Sequence, residues 1–144
     1  MKEILQHVQA LAVEYKTLTG KPLGVTGELA EYHAARLLGL ELAPPRTEGY
    51  GATRGTERIQ IKGRALPDRK GASQRLGTIK RDAPCDTVLL VLMDNTTLDP
   101  VEMWEADMEA VRALLDRPGS KARARGSLNV TTFKSVATQV WHHG

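Results

Sequence analysis

Apolar and polar positions alternate strictly through Thr56-Glu57-Arg58-Ile59-Gln60-Ile61-Lys62-Gly63-Arg64. The period of two predicts a strand over 57–62, with Ile59 and Ile61 held by a core and Arg58, Gln60, Lys62 and Arg64 displayed on the other side. On such a strand the Gln60 carboxamide and the Lys62 ammonium stand about 6.6 Å apart and point the same way. Helical spacing is as clear at the start of the chain. Ile4, Leu5, Val8, Leu11, Ala12, Tyr15 and Leu18 predict a helix over 2–18, which Gly20 and Pro22 stop. Leu29, Ala30, Ala34, Leu37 and Leu38 then make the stripe of a second helix, with Thr26 as N-cap and Gly39 at its end.

Residues 42–55 are rich in Pro and Gly and read as an irregular lead into the strand. Residues 63–84 have little apolar periodicity and several breakers; a basic loop with a short helix around Ser73–Leu76 is expected. Thr87-Val88-Leu89-Leu90-Val91-Leu92-Met93 is apolar without alternation, which suits a strand covered on both faces in a mixed or parallel sheet. Asp94-Asn95-Thr96-Thr97 is turn chemistry. An edge strand over Leu98–Trp104 follows, with Val101 and Met103 inward, then a helix from Glu105 to Leu115 that ends at Arg117-Pro118-Gly119. Beyond a basic loop at 120–125, Leu128 and Val130 suggest a short strand. Phe133, Val136, Ala137, Val140 and Trp141 suggest a last helix. The order of elements predicts one α/β domain over 1–144, without repeats or linkers.

Composition narrows the classes. At 144 residues the chain can bury a single core without staples. Its one cysteine, Cys85, cannot form an internal disulfide, and no apolar run approaches the ~20 residues that span a bilayer. A cytoplasmic protein with no membrane association is expected. Scarce aromatics argue against a single-strand binder built on base stacking. The net charge of +3 is unevenly laid out: residues 54–81 carry nine Lys/Arg against two Asp/Glu, a net +7, and residues 82–118 carry two against nine, a net −7. The basic block suits a polyanion, with Arg58, Arg64, Lys70, Arg75, Lys80 and Arg81 as the phosphate contacts. Two other readings are open: a solvated loop face balanced by the acidic block, or opposite blocks that pair between subunits of a homodimer.

Gln60-Ile61-Lys62 resembles the second half of the PD-(D/E)XK nuclease motif, in the variant where glutamine replaces the acid. Gly49-Tyr50-Gly51-Ala52 resembles that superfamily's Gly-(Phe/Tyr)-Asp-Ala element, with Gly51 where the aspartate is expected, and Gly27-Glu28-Leu29-Ala30-Glu31 resembles its Gly-Glu-x-x-Ala helix. The resemblance covers about Val25 to Met93. It implies a restriction-endonuclease-like mixed sheet flanked by helices and Mg²⁺-dependent cleavage of nucleic acid, double-stranded DNA first. Lys62, Gln60 and Glu28 would be the catalytic residues, and Glu28, Glu48 and Gln60 the metal ligands. Mg²⁺ takes hard oxygen ligands, usually one or two carboxylates with water and phosphate. Gly51 leaves one strong carboxylate where two are wanted, so Glu48 is expected to substitute. Glu31 shares part of Glu28's helix face, as a second carboxylate or a solvated one. The alternative is a scaffold that binds DNA without cutting it. His7, His33, His142 and His143 lack metal-ligand spacing.

Overall fold

The apolar run at 87–93 becomes the middle of the molecule. In the computed structural model, which describes residues 2–21, 23–66, 74–117 and 127–143, every residue of strand β5 (Thr87–Met93) is buried. It lies between β3 (Glu57–Ala65), which runs parallel to it, and β6 (Pro100–Asp107), which runs antiparallel. The alternating segment and the uninterrupted run are therefore neighbours, with Gln60 beside Val88 and Lys62 beside Leu90. The remaining strands are β1 (Glu41–Leu42), β2 (Ala52–Arg54) and β8 (Thr138–His142). They complete a six-stranded sheet in the order β1-β2-β3-β5-β6-β8, in which β3 and β5 are the parallel pair. A second sheet pairs β4 (Arg75–Thr78) with β7 (Ser127–Asn129).

Each face of the large sheet carries its own core. Helix α2 (Thr26–Leu38) lays Leu29, Ala30 and Ala34 on Ile59, Leu89, Val91, Met93 and Met103. It approaches so closely that a Cβ on Gly63 would collide with the Ala30 methyl and lie 3.0 Å from the Thr26 carbonyl. Gly39 closes the helix in the left-handed conformation, with its N–H on the Ala35 carbonyl. Helix α1 (Lys2–Thr19) lies outside α2 and is attached along one flank, where the Gln9 amide donates to the Thr97 carbonyl and to Asp99 Oδ1, both at 2.8 Å. On the opposite face, Val88, Leu90 and Leu92 meet Leu76, Leu128 and helix α3 (Met108–Leu115). Phe133 of the short helix α4 (Val130–Lys134) joins them. This mixed α/β architecture is consistent with the restriction-endonuclease-like fold.

Several expectations change. Thr26 is the first residue of α2 and not its N-cap, which is Val25 and makes no side-chain cap bond. The helix around Ser73–Leu76 is strand β4 from Arg75 on, where fully buried Leu76 pairs into the small sheet; Ser73 lies outside the described residues. The strand after the turn starts at Pro100 and runs to Asp107, so the following helix begins only at Met108. That strand is interior, because β8 pairs along its outer side. The last helix stops at Lys134. Thr138, Val140 and Trp141, β-branched or aromatic, then find an open sheet edge and extend. Val130 opens α4 rather than a strand, after the Asn129 side chain accepts from the Thr132 N–H at 2.7 Å. The basic loop at 120–125, with Lys121, Arg123 and Arg125, lies outside the described residues. No helix among the described residues is long and apolar enough to cross a membrane.

Candidate functional site

Gln60 and Lys62 follow one another on the polar face of β3, and the segment after β4 folds back over them. The result is a cavity of about 340 Å³ lined by Glu48, Gly49, Gln60, Lys62, Thr78, Lys80, Asp82, Ala83 and Pro84. Two carboxylates, two ammonium groups and a carboxamide thus meet there. Glu48 arrives through a slip in the strand register. The Gly51 N–H donates to the Ile59 carbonyl at 2.9 Å, although Ile59 is the residue that Ala52 faces. One extra residue is taken up at that point, so the side chains before it are turned by one position relative to a regular ladder. Tyr50 consequently packs with the core on the polar side of β3, and Glu48 reaches the cavity.

Lys62 is half-buried, and its ammonium donates to the Thr78 carbonyl at 2.8 Å. Burial, and then the Arg64 guanidinium beside it, hold its pKa below the ordinary lysine value. Gln60 offers its carbonyl oxygen 3.9 Å from the Cys85 sulfur. Burial pushes the Cys85 thiol up, which keeps it protonated and a donor. Lys80 and Asp82 stand exposed at the rim.

Of the three residues expected at the metal, Glu48 and Gln60 line this cavity and Glu28 does not. Glu28 is exposed on α2, the helix that covers the other face of the sheet. Its near neighbour in charge is Glu31, whose carboxyl is raised above the usual range by burial first and by Glu28 second. A side chain at position 51 would also belong to that other face: the Cβ that Gly51 lacks would sit 3.1 Å from Glu31 Oε2. An aspartate there would confront Glu31, not Gln60 and Lys62. The residue that sequence reading passed over is Asp82. No motif marks it, because it enters through the fold-back of residues 79–84.

The basic block is largely engaged within the chain. Arg58 pairs with Asp86 at 3.3 Å, and Arg81 grips Asp116 with two bonds of 2.6 and 2.7 Å. Arg54 binds Glu105 through both terminal nitrogens at 3.1 and 2.8 Å and Glu57 at 3.0 Å, which raises its pKa. Arg54–Glu57 stays within the basic block, but Arg58–Asp86, Arg81–Asp116 and Arg54–Glu105 join the basic block to the acidic one, so the charge complementarity seen in the sequence is met inside one subunit. Arg64 donates to the carbonyls of Arg75 and Gly63 at 2.6 and 2.7 Å and lies where a side chain at Gly77 would stand. Arg75 is exposed on β4. Among the six cations expected to contact phosphate, Lys80 lines the cavity, while Lys70 lies outside the described residues.

His33 belongs to the core, at 1% exposure. Its Nε2 donates to the Leu98 carbonyl at 3.0 Å and its Nδ1 accepts from Arg36 at 2.9 Å, which ties α2 to the turn before β6. Burial lowers its pKa, in keeping with a neutral ring that uses both nitrogens.

The donor chemistry of the cavity can be tested against a divalent cation. Among the described residues no three His, Cys, Asp or Glu side chains come together as a protein cage. Two carboxylates and an amide oxygen are nevertheless hard ligands of the kind and number that Mg²⁺ accepts when water and phosphate complete its shell. Glu48, Asp82 and Gln60 are the lining residues whose donor type could hold such an ion. Compared with known proteins, the chain matches no family model and no curated sequence.

Proposed function

We propose that this domain is a metal-dependent phosphodiesterase acting on nucleic acid, double-stranded DNA in the first instance, in the cytoplasm. The observation that carries the proposal is the convergence of Glu48, Gln60, Lys62, Lys80 and Asp82 on one cavity beneath the fold-back of 79–84. The motif resemblance of Gln60-Ile61-Lys62 points the same way. Glu48, Asp82 and the Gln60 oxygen would hold the cation. When bound, Mg²⁺ supplies charge at the phosphate and a more acidic water. Lys62, fixed at its Thr78 carbonyl and reduced in basicity by burial, stabilises charge developing on phosphorus oxygens and orients the attacking water. Lys80 at the rim holds the approaching backbone.

A second reading, a scaffold that binds DNA without cutting it, is favoured by one observation. The Lys62 ammonium already has an acceptor in the protein, and a phosphate must compete with it. Cleavage assays on plasmid and on short duplexes, with Mg²⁺ or Mn²⁺, separate the two. The parent should cleave, and Lys62→Ala, Asp82→Asn and Glu48→Gln should each lower the rate by about 10²-fold or more. Gly51→Asp should gain nothing, because its carboxylate would face Glu31. Binding without cleavage under every metal condition supports the second reading. Neither binding nor cleavage removes both.

A further inference from the structure

A second cavity, of about 270 Å³, opens between helices α1 and α2, on the face of the sheet away from Gln60 and Lys62. Lys2 from the first turn of α1 and Arg36 from the last turn of α2 both line it. Arg36 is set in place from within the protein. Its guanidinium donates to Nδ1 of buried His33 at 2.9 Å, while Nε2 of the same ring donates to the Leu98 carbonyl at 3.0 Å. The guanidinium also lies 5.4 Å over the ring of Tyr32, itself buried. One bond to His33 uses one of its five N–H donors. Among the described residues neither Arg36 nor Lys2 has an ion-pair partner, whereas Arg54, Arg58, Arg81, Arg112 and Lys134 each have one. An arginine oriented by a buried imidazole and left without a carboxylate is placed to receive an anion from outside the chain.

The far end of the cavity has the opposite chemistry. Gln9, about 10 Å along α1 from Lys2, spends its amide hydrogens on the Thr97 carbonyl and Asp99 Oδ1, both at 2.8 Å. Its carbonyl oxygen and the second oxygen of Asp99 are then acceptors, which suit hydroxyl groups and repel an anion. We propose that this cavity binds a small phosphate monoester that carries hydroxyl groups. A phosphate monoester bears about −1.5 to −2 charges at neutral pH and so matches two cations, where a carboxylate would match one. The volume lies just under the about 300–1,000 Å³ of drug-sized ligand sites, so the occupant is a small molecule. Lys2 and Arg36 take the phosphate; Gln9 and Asp99 take the hydroxyls. The proposal is independent of the nuclease reading, since none of these residues lines the other cavity.

Two-dimensional NMR of the full chain titrated with ribose 5-phosphate should show saturable shifts centred on Gln9, His33 and Arg36, with a Kd of about 1 mM or lower. Inorganic phosphate should shift the same residues and bind about tenfold more weakly, because it lacks the hydroxyl end. Arg36 and Lys2 are both exposed, so Arg36→Gln and Lys2→Gln should keep the parental melting temperature. Arg36→Gln should weaken ribose 5-phosphate about tenfold or more, and Lys2→Gln about threefold. No saturation by about 10 mM overturns the inference, as does binding that both variants leave unchanged. Equal binding of the two probes overturns the hydroxyl-bearing class. Shifts confined to Gln60 and Thr78 would assign the phosphate to the other cavity, overturning this inference while leaving the nuclease reading intact.

Discussion

The two faces of β3 share a backbone and differ in everything else. On one side Ile59 and Gly63 are pressed under α2, with Ile61 packed at the margin, and apolar contact does the work. On the other, Gln60, Lys62 and Arg64 lie under a polypeptide segment whose backbone the two cations bind: Lys62 at the Thr78 carbonyl, Arg64 at that of Arg75. Arg112 reaches the same segment from α3, donating to the carbonyls of Arg81 and Ala83 at 2.8 and 3.3 Å. Cations here staple a loop. The lesson is that a basic stretch can serve the fold before it serves a ligand, and that the charge left over for phosphate is smaller than the sequence total.

This contrast can be broken most forcefully from the apolar side. Ile59→Ala should lower stability by about 2–5 kcal/mol, because a fully buried side chain leaves a cavity that α2 cannot refill; Lys62→Met should cost less than about 1 kcal/mol. Urea unfolding followed by circular dichroism measures both, and equal losses would erase the distinction between the faces. Next in size, Gly63→Ala should cost about 1–3 kcal/mol through overpacking against Ala30 and the Thr26 carbonyl. The same assay reads it, and relief by a second change, Ala30→Gly, would locate the collision.

Removing a staple should matter less than removing the core. Arg64→Leu should lower stability by about 1–2 kcal/mol, because the Arg75 carbonyl loses a charged donor. Hydrogen exchange should then speed up in β4 ahead of β5. Arg81→Ala, which breaks an exposed ion pair with Asp116, should leave the urea midpoint close to the parent's. The smallest effect lies on the buried side of α2. His33 is held below its ordinary value of 6.5, so the unfolded chain takes up its proton first as pH falls. Its contribution to stability is present above that value and is lost as pH drops toward the folded-state pKa, with a slope no steeper than about 1.4 kcal/mol per pH unit. His33→Gln should flatten the pH dependence of the urea midpoint in that window.

The strands β3 and β5 and the helices α1 and α2 were legible in the chain because each rests on a period that a few consecutive residues express. β5 runs over Thr87–Met93, the span its apolar pattern predicts. β1 and β2 were not legible. They are two and three residues long, and their hydrogen bonds come from partners rather than from any pattern of their own. The same holds for β8, where helical spacing and strand propensity compete and the open side of β6 decides the outcome.

For the candidate site, sequence alone determined that Gln60 and Lys62 share a face, since alternation along a strand is a property of the backbone. Only the tertiary structure decided which carboxylates join them. Glu48 comes in through the register slip before Ala52, Asp82 through the fold-back behind β4, and Glu28 goes with α2 to the far side of the sheet. Tertiary structure also decided that the opposite charge blocks meet inside one subunit, and that Ile4, Leu11, Tyr15 and Leu18 of α1 stay in solvent while Ala12 is buried. The reason is physical. Periodicity fixes the direction of a side chain relative to its own element, whereas the company it keeps depends on how distant elements pack, and no local pattern records that.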